Sequence, residues 1–244
     1  MKKMIFLPIL LVLLLYACTH DNIKPTTTVN TGSTGTGTST GTGTGTGSGT
    51  GTTTTPSDAV CFSTDVLPLF QTYCASSGCH DAASAREGLV LTNYTNIMKG
   101  ISANKPNSSR YYTVIQNGSM PPSKSPKLST TQIATIAKWI NQGALNNTCT
   151  ITTCDTTKTT YNNGISQLFA TYCNGCHGLA PGSGNVILSD YANAKIAGTT
   201  MKTNFLNAIN YTSASAAMNM PQSGKLSSCQ VTQITKWINN GCPQ

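Results

Sequence analysis

The sequence predicts an all-α protein, two small helical units in tandem behind a Thr/Gly-rich segment with no fold of its own. Three observations carry this. A block of motifs is written twice at a near-constant offset. The last helix of each block has its own start and stop signals. No stretch between them sustains the period-2 alternation of a strand.

Composition sets the scale. Of 244 residues only 9% are charged and 7% aromatic, and the Thr and Gly excess is concentrated in 25–57, where no residue is charged. The chain beyond residue 57 divides into pieces of under about 100 residues, which bury limited apolar surface and rely on disulfides, a metal or a cofactor. A large catalytic barrel or a dinucleotide-binding sheet is excluded. The net charge is +8, but Lys2 and Lys3 lie in the leader and the other basic residues are scattered singly. That is a mildly basic surface with no nucleic acid implied.

The chain opens with Met1-Lys2-Lys3-Met4, then an apolar run from Ile5 to Tyr16. The run is shorter than the roughly 20 residues a spanning helix needs and has the form of a secretory signal core over 1–17. Leu15-Tyr16-Ala17-Cys18 resembles the bacterial lipobox, which implies a lipid on Cys18. An ordinary signal peptide with Cys18 incidental is the alternative. Export permits disulfides. Residues 18–57 then read as a disordered tether, because Thr-Gly alternation buries nothing to offset its ordering entropy. Its reach is about 35 Å, from about 5–6 Å times the square root of its length.

The repeat defines the units 58–149 and 150–244. Leu69-Phe70-Gln71-Thr72-Tyr73-Cys74 returns as Leu168-Phe169-Ala170-Thr171-Tyr172-Cys173, Cys79-His80 as Cys176-His177, and Met120-Pro121 as Met220-Pro221. Lys138-Trp139-Ile140-Asn141 returns as Lys236-Trp237-Ile238-Asn239. The connection near 146–153 is short, so the units should sit close together. In the first helix Val66, Leu67, Leu69, Phe70 and Tyr73 share a face, and Pro68 is tolerable only in an opening turn. Each last helix starts at a Ser-x-x-Gln capping box (Ser129…Gln132; Ser227…Gln230). It continues in the first copy through Ile133, Ile136, Ala137 and Ile140, and stops at Gly143 or Gly241. Between first and last helices the sequence reads as Gly-, Pro-, Ser- and Asn-rich connection.

The chemistry lies in Cys173-Asn174-Gly175-Cys176-His177. Cys-x-x-Cys-His is the attachment signature of c-type haem. Two thiols one turn apart can add to both vinyl groups, and the next imidazole then lies under the iron. Zinc would want two further ligands, and a redox dithiol would expect a βαβ pattern. The first copy, Cys74-Ala75-Ser76-Ser77-Gly78-Cys79-His80, carries four intervening residues, and its extra pair must bulge outward. Met120 and Met220 recur in polar Met-Pro loops at matched distances after His80 and His177, which favours axial ligation over core filling. Met218 is a rival in the second unit.

Each unit thus resembles a class I monohaem cytochrome c domain. The tandem arrangement behind a lipidated leader resembles cytochrome-like lipoproteins of Bacteroidota. The resemblance implies two covalent haems c, with thioethers at Cys74, Cys79, Cys173 and Cys176. It implies His80 and His177 as proximal ligands and Met120 and Met220 as distal ones. Of the remaining cysteines, Cys61 opens and Cys149 closes the first unit, a natural pair. Cys154 could reach Cys229 or Cys242, and Cys154–Cys229 with Cys242 free is the preferred pairing.

The functional expectation is a non-enzymatic dihaem electron carrier, exported to the periplasm or cell surface and held to a membrane by Cys18. It would exchange electrons with donor and acceptor proteins. The alternatives are a dihaem peroxidase-like enzyme with one open iron, and an accessory surface lipoprotein with degenerate haem units.

Overall fold

The structure is a computed structural model that describes residues 58–149 and 154–244. The expected signal peptide (1–17), Cys18, the tether to 57 and the connector 150–153 lie outside the described residues. All described residues belong to a single unit, Thr52–Gln244. The described residues are helical and contain no strand; Thr160 and Gly164 form an isolated bridge.

A wide π-helical turn, Phe62–Val66, leads into α1 (Leu67–Tyr73). Pro68 sits in the first turn of α1, where its missing N–H leaves no bond unmade. Two short helices follow, α2 (Tyr94–Ile97) and α3 (Arg110–Gln116), and then α4 (Thr130–Asn141). The second copy runs α5 (Ile165–Tyr172), α6 (Asn174–His177), α7 (Tyr191–Thr199), α8 (Lys202–Asn210) and α9 (Ser228–Asn239). Both capping boxes form: the Ser129 and Ser227 side chains accept from the Gln132 and Gln230 backbone N–H groups, and those glutamines return the bond. Gly143 (φ +93°) and Gly241 (φ +80°) take the left-handed conformation that ends each last helix.

Each copy has its own apolar core around its tryptophan. In the first, Phe62, Val66, Leu69, Phe70, Ile136 and Ile140 surround Trp139. The Phe62 ring lies 5.4 Å from that of Trp139, so the opening turn packs on α4. In the second, Phe169 meets Trp237 edge-on at 5.7 Å, which joins α5 to α9. Each indole N–H donates to a carbonyl just past its helix, Leu145 O at 3.0 Å and Pro243 O at 2.9 Å. The polar edge of each buried ring is therefore satisfied.

The middle of each copy departs from the expected loops. α2, α3, α6, α7 and α8 are too short to print a clear apolar period. A local signal was nonetheless present, since the Asn93 and Asp190 side chains accept from the Asn96 and Asn193 N–H groups as N-caps.

Two disulfides lie where the sequence favoured them. Cys61–Cys149 and Cys154–Cys229 have Cα atoms 5.8 and 5.4 Å apart and span 88 and 75 positions. Closing such loops restricts the unfolded chain by about 4 kcal/mol each in the entropy model. Cys242 is a free thiol buried in the second core.

Truncating Trp237 to alanine empties the centre of the second core and removes its bond to Pro243 O. We expect a loss of about 3–5 kcal/mol, read as a lower denaturant midpoint in chemical unfolding of the disulfide-bonded protein.

Candidate functional site

α1 and α5 each end one residue before a cysteine, and the chain then turns so that an imidazole follows. The turn closes with the same hydrogen bond in both copies: the His80 N–H donates to Cys74 O at 3.1 Å and the His177 N–H to Cys173 O at 2.9 Å. The second copy closes it through α6. The first closes it around its two extra residues, with Ser77 and Gly78 exposed. The insertion bulges into solvent, as its flexible composition suggested. Gly78 takes φ +83° there and its N–H donates to Ser84 Oγ at 2.8 Å.

Both imidazoles are held through Nδ1 by a backbone carbonyl, though from different places in the repeat. Nδ1 of His80 lies 3.0 Å from Arg86 O, and Nδ1 of His177 lies 3.1 Å from Val186 O. A carbonyl only accepts, so Nδ1 carries the proton and Nε2 is left with the ring's free lone pair. The histidine backbones are pinned as well, by Leu91 N–H on His80 O and Leu188 N–H on His177 O, each at 2.8 Å.

Each imidazole borders a cavity. The first, about 290 Å³, is bordered by Cys74, Cys79, His80 and Met120, with Leu91, Tyr111 and Ile115 among its apolar walls. The second, about 660 Å³, is bordered by Cys173, His177 and Met220, with Leu188, Phe205 and Ile209. Cys176 is exposed and is not part of that lining. Met218, 60% exposed, shares the second cavity with Met220. Burial pushes the Cys74 and Cys173 thiols up to about 12, so both are neutral at physiological pH.

The two Met-Pro loops are anchored in the same way. Met120 N–H donates to Val114 O and Met220 N–H to Ala208 O, both at 2.9 Å, which ties the loops to α3 and α8. The carbonyl of the following proline has a donor in each copy: Lys127 Nζ on Pro121 O, and the Tyr211 hydroxyl on Pro221 O. Among the described residues, no group of three or more His, Cys, Asp or Glu side chains is placed to hold a bare metal ion. The donor set of each cavity is instead thiol, imidazole and thioether between apolar walls. It fits a porphyrin that brings its own four nitrogens and needs only axial and covalent attachment.

The copies sit close together, as the short connection implied, and the sites touch in ways the sequence did not reveal. α1 packs against α5 and α6. The Tyr73 hydroxyl donates to Ala170 O at 2.7 Å, Gln132 Nε2 donates to the same carbonyl at 2.9 Å, and the Tyr172 hydroxyl crosses back to Thr64 O at 3.0 Å. Burial raises the pKa of both phenols, so they remain donors well beyond neutral pH. Gly175, between the paired cysteines of the second motif, lies against the Thr72 carbonyl of α1 so closely that a Cβ would collide with it. Gly175 also borders the first cavity. The turn of the second cysteine pair is thus part of the wall of the first cavity. Tyr73 and Tyr172 are matched in the repeat, and the sequence alone places only Tyr73 on an apolar face.

Comparison with protein-family models, with curated proteins and with solved structures finds no match for the chain.

Gly175→Ala should force α1 and α6 apart, because the obstructing atom is backbone. We expect a cost of about 1–3 kcal/mol, seen as a lower thermal midpoint. Tyr73→Phe should cost about 1 kcal/mol by the same measurement, since it removes a hydroxyl without adding volume.

Proposed function

We propose that the protein is an exported, membrane-tethered dihaem c-type cytochrome that carries electrons between redox partner proteins. The observation that carries the reading is the duplicated imidazole clamp. Two histidines, each directly after a cysteine pair, have Nδ1 committed to a backbone carbonyl while the residue borders a cavity with a methionine on its lining. That arrangement leaves Nε2 as the ligating nitrogen and fixes its tautomer before any iron arrives.

In this reading Cys74 and Cys79 in the first unit, and Cys173 and Cys176 in the second, hold the porphyrin. Each of these thiols would supply a thioether link by adding its S–H across a vinyl double bond. His80 and His177 are the proximal ligands and Met120 and Met220 the distal ones. The bound haem supplies one-electron chemistry at a potential raised by His/Met ligation. The chain's own residues do the rest. They fix the imidazole, exclude water with Leu91, Ile115, Leu188 and Phe205, and hold the two sites side by side through α1 and α6. With His80 and Met120, and His177 and Met220, holding the two groups, neither would offer a place to substrate, and the role would be conduction. The apolar leader and Cys18 supply export and the anchor, in the periplasm or at the cell surface. The Thr/Gly tether supplies reach to donor and acceptor.

A peroxidase-like reading is favoured by one observation, the 38% exposure of Met120 at the irregular first site. A distal ligand so open to solvent is the one that could leave its iron.

Mature protein should retain two haems c per chain by the pyridine haemochrome assay and stain for haem after denaturing electrophoresis. Cys173→Ser with Cys176→Ser should leave one. A colourless, stain-negative chain would sink the proposal. Met220→Ala should convert one of two low-spin haems to a high-spin, carbon-monoxide-binding form. A high-spin component in the unmutated protein, with peroxide turnover abolished by His80→Ala, would favour the enzyme instead.

A further inference from the structure

The two sites differ in the charge on their rims. The chain contains two arginines, Arg86 and Arg110. Both border the first cavity. No Arg, Lys, Asp or Glu borders the second.

The repeat identifies what stands in their places. The turn Arg86–Gly88 corresponds to the turn Ser183–Asn185; each has a left-handed middle residue, Glu87 at φ 55° and Gly184 at φ 62°. Ser183 therefore replaces Arg86. α3 and α8 correspond through the carbonyls that receive the methionine N–H groups, Val114 O and Ala208 O. Arg110 stands four residues before Val114, and Asn204 four before Ala208. Asn204, like Ser183, borders the second cavity. Two permanent cations in one copy thus answer to an amide and a hydroxyl in the other.

Neither guanidinium is neutralised by an ion pair. Among the described residues the ion pairs are Lys138 with Asp58 and Lys158 with Asp155. Glu87 borders the first cavity too and offsets one charge, which leaves that rim net positive. A guanidinium is always charged and its fork of donors matches a carboxylate. A c-type haem carries two carboxylates, its propionates. A cation near an iron, or one that neutralises a propionate, favours the less positive, reduced state.

Resting on the dihaem reading above, we infer that Arg86 and Arg110 receive the porphyrin carboxylates at the first site and make it the better electron acceptor of the pair. An electron shared between the sites then rests on the first. In that exchange the second iron passes from ferrous to ferric and the first from ferric to ferrous, with no bond or proton changed. Both guanidiniums are exposed, so water and salt screen the effect, and the bias is moderate and larger at low ionic strength.

The test is a spectroscopic redox titration of the full mature holoprotein, after the haemochrome assay has established two haems. We expect two waves. Arg86→Gln with Arg110→Gln should lower the upper wave and leave the lower one in place. The constant for sharing an electron should fall about three- to tenfold, the scale of two screened surface charge contacts. Ser183→Arg with Asn204→Arg is the reverse transplant and should raise the lower wave toward the upper one. Because it adds charge rather than removing a contact, it decides the matter if the arginine variant fails to fold. Two haems whose waves ignore both pairs of substitutions, or an arginine variant that moves only the lower wave, would overturn this inference and leave the dihaem reading intact. Protein without covalent haem would overturn both.

Discussion

Two backbone carbonyls, those of Arg86 and Val186, govern what each half of this molecule can do. By accepting from Nδ1 they choose the tautomer, aim the ring and leave the lone pair of Nε2 free. A surface histidine has none of these fixed. The chain after each Cys-His doubles back through a turn, and the carbonyl comes from the start of that turn in the first copy and from the residue just past it in the second. The middle residue of each turn is left-handed. In the second copy that residue is Gly184. In the first it is Glu87, at φ 55°, where a side chain is strained. The reciprocal bonds from Leu91 and Leu188 to the histidine carbonyls hold these turns in place.

The duplication was legible because it is a repetition, and repetition amplifies weak signals. A four-residue gap between Cys74 and Cys79 means little alone and much beside Cys173-Asn174-Gly175-Cys176-His177. α4 and α9 were legible too, since a capping box, an i, i+3, i+4, i+7 stripe and a stop glycine agree on one answer. The centre of each copy was not. α2, α3 and α6–α8 run for nine residues at most and are held by tertiary contact, so they print no clear period, and only α2 and α7 carry a side-chain N-cap. Of the site, the cysteines, histidines and methionines were visible as residue types at spacings. The carbonyls holding the imidazoles were invisible, because any residue can supply one.

The short connection announced that the copies would sit close, but the contact through which they touch was illegible for a similar reason. It is made of a glycine's missing side chain and of hydroxyls on backbone carbonyls. Gly175 reads in sequence as one of two arbitrary residues between the cysteines. In the fold it is the point where one copy's cysteine turn meets the other's first helix. The requirement comes from Thr72, about a hundred residues earlier in the chain, and no local rule contains it.

The disulfides give the molecule a further property. The Cys61–Cys149 ring contains every thiol, imidazole and thioether assigned to the first site, and the Cys154–Cys229 ring contains every one assigned to the second. Neither ring crosses into the other copy. A protease that severs the short link from Cys149 to Cys154 therefore opens no ring and separates no ligand from its partner. It yields two covalently intact halves, docked through a few tyrosine, glutamine and glycine contacts and free to part where those fail. A cut between the disulfide rings thus leaves each half with its own cysteines, histidine and methionine, and costs the first cavity only the wall that Gly175 lends it.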